Sequence, residues 1–121
     1  MDDVCRSWGT CSIGTTTPAT RWCLAEGCTD GGMDTWILVA NPGTTAAKVS
    51  LALDTDKGQQ VPAALQRITV PAGCRISFRL NDYLTTYDVS TVVTSDVPVV
   101  AERAMYGPDR VWADDSVGYA P

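Results

Sequence analysis

The chain contains no histidine. That absence excludes Ser-His-Asp hydrolysis, Cys-His proteolysis, histidine-ligated zinc and haem held by histidine. Helical periodicity is almost missing; the one candidate, Pro62 to Gln66, is too short to stand alone. No apolar run approaches the roughly 20 residues of a membrane helix, and no run of basic residues offers a nucleic-acid footprint. There is no C-x-x-C pair, so thioredoxin-like redox chemistry and a zinc ribbon lack support. The opening Met1-Asp2-Asp3 is not followed by an apolar h-region, so no signal peptide is read here. A secreted protein with this sequence is then expected to be part of a longer chain.

What remains is enough for one domain: 121 residues and 12.9 kDa, with 45% hydrophobic residues. Fourteen acidic against nine basic residues give a formal charge of −5. Thr, Ser and Gly are plentiful, and five cysteines stand at Cys5, Cys11, Cys23, Cys28 and Cys74. Together these read as an extracellular composition, where disulfides persist. Spacing does not choose among the pairings. Cys11 with Cys28 is the preferred bridge, joining the N-terminal segment to the exit turn of the first strand.

Strand patterns recur along the whole chain. Trp22 and Leu24 lie on one side of Arg21 to Glu26. Trp36-Ile37-Leu38-Val39 is a continuous apolar run, read as a strand buried on both faces and ended by Asn41-Pro42-Gly43. Val49, Leu51 and Leu53 alternate with polar neighbours, and so do Ile76, Phe78 and Leu80. A short strand at Ile68 to Val70, two β-rich runs at Val89 to Thr94 and Val97 to Tyr106, and a last one within Arg110 to Val117 complete the set. Pro98 is placed at the start of its strand, at a sheet edge. Strands at this spacing without intervening helices predict an all-β fold: an antiparallel β-sandwich of seven to eight strands.

The two ends match each other. Arg6, Trp8, Ser12 and Gly14 recur as Arg110, Trp112, Ser116 and Gly118 at a constant offset of 104, with Ile13 opposite Val117. A domain-length offset is the mark of a tandem array. Residues 1–18 are therefore expected to be an arm resembling the closing strand of a preceding unit, and 19–121 a single β-sandwich domain.

Two blocks carry a family resemblance. They are Arg21-Trp22-Cys23-Leu24-Ala25-Glu26-Gly27-Cys28-Thr29 with Thr35 to Gly43, and Ser95 to Gly107, beside the Ser-Ile-Gly and Ser-Val-Gly near the ends. Through them the chain resembles an uncharacterised tandem repeat of secreted and surface proteins of actinobacteria and related bacteria. The resemblance implies an immunoglobulin-like sandwich used as a spacer or binding module, extracellular or at the cell surface, with no catalytic residues and no cofactor. Cys23 departs from it, since an aromatic usually stands at that position.

The side chains that carry chemistry are few. Glu26 and Glu102 lie in β-rich segments and form the minimum carboxylate pair for glycoside hydrolysis. With Arg103 and Arg79 available, they read instead as structural ion pairs. Asp54 to Gly58 and Asp30 to Asp34 lack the length and terminal glutamate of a calcium loop. Trp8, Trp112, Tyr83 and Tyr87 are the aromatics expected at a binding surface. The leading expectation is a non-catalytic structural repeat whose partners are neighbouring copies, assembling through strand addition. The other is a carbohydrate- or surface-binding module whose partners are surface glycans.

Overall fold

The computed structural model describes residues 9–121. It is all-β, with eight strands: β1 Ala19–Leu24, β2 Asp34–Ala40, β3 Ala47–Thr55, β4 Gly58–Gln60, β5 Ile68–Val70, β6 Arg75–Arg79, β7 Val89–Tyr106 and β8 Ala113–Val117. Three short 3-10 turns are the only helical pieces among the described residues. Every pairing is antiparallel, and all eight strands belong to one curled sheet.

β7 is 18 residues long and changes partners halfway. Its first half lies between β1 and β3, with Trp22 opposite Val93 and Leu51 opposite Val93 from the other side. Its second half lies between β2 and β8, with Trp36 and Asp115 both opposite Ala104. The sequence shows two runs here because Ser95, Asp96 and Pro98 look like a break. The structure joins them. Pro98 falls after Ser95, the last partner of β3, and before Val100, the first partner of β2. Its missing N–H therefore removes no ladder bond.

Odd-numbered residues of β7 face inward throughout: Val89, Thr91, Val93, Val99, Ala101, Arg103 and Met105 are buried. Onto them fold Val49, Leu51 and Leu53 of β3, Ile37 and Val39 of β2, and Trp22 and Leu24 of β1. Period-two alternation thus builds the core, as expected for strands with one buried face. β2 is the exception to its sequence reading. Only Thr35, Ile37 and Val39 are fully buried, while Trp36 and Leu38 lie half-buried on the opposite face.

Two devices fasten the ends of the curl. At one, buried Asn41 donates from Nδ2 to the carbonyls of Thr45 and Val70 at 2.8 and 3.0 Å, and its Oδ1 accepts the Gly43 N–H. The Asn41 backbone also exchanges bonds with Cys74 and Gly73. One side chain thereby ties the β2–β3 corner to the turn before β6. At the other, the chain leaving β8 crosses to β1: Cys23 N–H donates to Tyr119 O at 2.7 Å and Tyr119 N–H to Cys23 O at 2.8 Å. Gly118 makes that crossing fit, because a Cβ there would stand 3.1 Å from Leu24 and 3.2 Å from Trp22.

Replacing Asn41 by Ala strands two carbonyls and an N–H in a site that is 1% exposed. The expected cost is about 3 kcal/mol, read as a lower urea midpoint at unchanged slope.

Candidate functional site

The arginines are the centres of charge. Arg103 points into the core from β7 and is 4% exposed. Its Nη2 donates to Asp114 on β8 at 2.6 Å, and its Nη1 stands 3.6 Å from Glu26. Its Nε is buried without a partner. A buried guanidinium is tolerable only when countercharged in this way. Arg79, at the end of β6, bridges Asp34 at 2.5 Å and Asp82 at 3.0 Å. Hydrogen bonds to those two carboxylates raise its pKa further above an already high value.

Glu102 lies on the other face of β7, so the two glutamates are not a facing pair. Burial pushes its carboxyl up from the ordinary value, and a hydrogen bond to Asp115 adds to the rise, against the pull of Arg75. Asp115 moves the opposite way. The Thr10 hydroxyl lowers it most, then the bond from Glu102. Glu102 is therefore the proton carrier of the pair and Asp115 the acceptor.

Asp115 also receives side chains of the described part of the N-terminal arm. Thr10 Oγ1 donates to it at 2.6 Å and Ser12 Oγ at 3.5 Å. Residues 9–18 form no strand, and Ile13 is 90% exposed. Val117, its counterpart in the end-to-end match, packs against the core.

No disulfide forms among the described cysteines. Cys11, Cys23, Cys28 and Cys74 are all free thiols. The expected Cys11–Cys28 bridge is absent for a local reason. Cys28 is buried, with its Sγ directed to the Asp30 carbonyl at 3.4 Å and its N–H held by the Thr35 hydroxyl, while Cys11 is exposed on the arm. Cys5 lies outside the described residues.

Several surface aromatics lie against glycine turns, while Tyr119, 70% exposed, is bonded back to Cys23 of β1. Tyr87, 65% exposed, lies against the turn at Gly31, and Pro108 packs on Gly32. The indole of Trp112 covers Gly107 so closely that a Cβ there would sit 2.2 Å from its Nε1. Tyr83 is 36% exposed in the loop before β7. Trp8 falls outside the described residues. Trp22 is core, its Nε1 donating to Val99 O at 2.8 Å.

One surface escaped the sequence reading. The outer face of β6, β2 and β7 carries a groove of about 260 Å³ lined by Trp36, Leu38 and Ala104 together with Arg75 and Arg110. The signal lies in the even positions of β2, where a run read as buried on both faces assigns Trp36 and Leu38 to the core. Among the described residues no cluster of Asp, Glu and Cys is arranged to hold a metal ion, and no helix is long and apolar enough to cross a membrane.

The Glu102–Asp115 pair carries a pH signature. A carboxyl whose pKa is raised on folding favours the fold below its unfolded pKa, and that contribution is lost as pH rises through the folded value. Glu102→Gln keeps a donor toward Asp115 without the negative charge. The variant is expected to melt above the parent at pH 7, and the difference to vanish as pH falls to about 4, where Glu102 is protonated anyway. Thermal melts by circular dichroism from pH 4 to 7 measure this.

Comparison with known proteins follows the fold closely. Thermotoga maritima 1070 superposes with a TM-score of 0.73 at 18% identity, over 86% of this chain and 96% of its own. The Anabaena sensory rhodopsin transducer superposes with a TM-score of 0.57 at 30% identity, over 75% of this chain and 96% of its own. No curated protein matches the chain. A family model, DUF5719, matches residues 10–107, which include the whole of β1 to β7. The chain belongs to that family, whose function is unknown.

Proposed function

We propose that this chain is a non-catalytic structural unit of an extracellular or cell-surface protein, one of a tandem row of immunoglobulin-like sandwiches that spaces and stacks. In that view the halves of the curled sheet on either side of the Pro98 bend are the two layers of the sandwich. The observation that carries the reading is the contrast between Ile13 and Val117. The arm repeats the sequence of the closing strand, yet its described residues, 9–18, form no strand in this unit and leave Ile13 90% exposed. Its counterpart packs on the core. A segment patterned for burial but exposed belongs to another sheet. In a row of units that sheet is the preceding one; between separate chains it is a neighbour's, reached by strand addition.

Other features agree. Gly118, the counterpart of Gly14, sits where the chain crosses from β8 to β1, so a unit ends where its sheet closes. Thr15 to Pro18 then forms a short linker of the extended, semi-rigid kind. Among the described residues of the arm, Thr10 and Ser12 hold it to its own domain through side-chain hydrogen bonds to Asp115. Those contacts are readily exchanged for backbone pairing elsewhere.

Two copies fused at the 104-residue period, with Gly118 of the first running into Thr15 of the second, test the reading. Stacked units gain an interface that a single unit lacks. The fusion should melt as one transition above the single chain, with a fixed separation of units in small-angle scattering. An unchanged melting temperature with a broad distribution of separations would mean freely jointed beads, and would contradict it.

A further inference from the structure

We propose that the groove on the outer face of β6, β2 and β7 binds a carboxylate-bearing sugar, with Trp36 as its stacking platform and Arg75 and Arg110 as its anion contacts. The proposal does not depend on the tandem reading.

Three observations converge there. The first is composition. The chain is net acidic, yet among the described residues no carboxylate lines this groove, whose polar lining is Arg75, Ser77, Tyr106 and Arg110. Arg79 nearby is already committed to Asp34 and Asp82, whereas Arg75 makes no close ion pair among the described residues and feels Glu102 only through its field. The second is an unmet donor. Trp36 Nε1 is covered by its surroundings but bonded to nothing, although it stands on the solvent side of the sheet. Such a group favours any ligand oxygen that displaces its cover. The third is strain. Asp109 and Arg110 are successive non-glycine residues with φ of 54° and 55°. Left-handed backbone at such residues is costly and collects at ligand sites. Here it sets the Arg110 guanidinium over the Tyr106 ring, 5.0 Å from its centroid, in the lining of the groove.

The chemistry selects the occupant. Trp36, Leu38 and Ala104 supply the apolar part of the lining, and an indole among them suits the C–H face of a pyranose ring. Ser77 and the Trp36 N–H need hydrogen-bonding edges, which ring hydroxyls provide and an aromatic acid does not. Arginines in the lining match a planar carboxylate. An acidic peptide supplies the charge but no flat face for Trp36.

The test uses the full chain labelled with nitrogen-15, following the Trp36 indole N–H. It is titrated with a galacturonate trisaccharide, the neutral galactose trisaccharide and a triglutamate peptide. The uronate is expected to shift that resonance saturably, with a dissociation constant in the millimolar range or below. Arg75→Gln and Arg110→Gln, both in the groove's lining, should each weaken binding about tenfold. So should replacing the uronate by the neutral sugar, and added salt should weaken uronate binding alone. Four results would each overturn the proposal: no shift with uronate, binding indifferent to Arg75→Gln, equal binding of the neutral sugar, or equal binding of the peptide.

Discussion

One uninterrupted strand holds this fold together. β7 runs for 18 residues and is paired on both sides in each half. Neither half has a core of its own, because the inward face of β7 passes from Val89 to Met105 through both. The change of partners comes between Ser95, the last residue paired to β3, and Val100, the first paired to β2, and the β1 ladder shifts register there. Pro98 falls in that gap, where its missing N–H removes no ladder bond. A unit built this way cannot open half at a time without losing inter-strand bonds along its central strand.

Much of this was legible along the chain. Alternation at Val49-Leu51-Leu53 and at Ile76-Phe78 marked inward faces, because a strand with one buried side must repeat every second residue. Turn chemistry at Asn41-Pro42-Gly43 marked a corner. What the pattern could not show was partnership. β7 reads as two strands because polar residues and proline resemble a break when the pairing is unknown. Trp36 reads as core because a run of four apolar residues fits a doubly buried strand equally well. Only the register, which sets Trp36 opposite Arg79 and Ala104, sends it to the outer face.

The polar interior was harder still. Asn41 is a turn residue by sequence and a buried tie by structure, since its partners Thr45 and Val70 are brought to it by two separate corners. Arg103 meets Glu26 and Asp114 because the β1–β2 loop and β8 converge on the inner face of β7. Nothing in linear order announces that meeting. The same holds for the groove, whose members come from three strands and a strained turn. Alternation marks the wet side of most strands here, and β2, a continuous apolar run, is the exception. Sites arise where several strands agree to leave apolar groups on the wet side.

The account stands on β7 acting as one element. Native-state hydrogen exchange across it tests this directly. Bonded amides in the first half, such as those near Val93, and in the second, near Ala101, should open with the same free energy, close to that of global unfolding. Exchange of one half at a clearly lower free energy than the other would show two separable sheets, and would contradict the account.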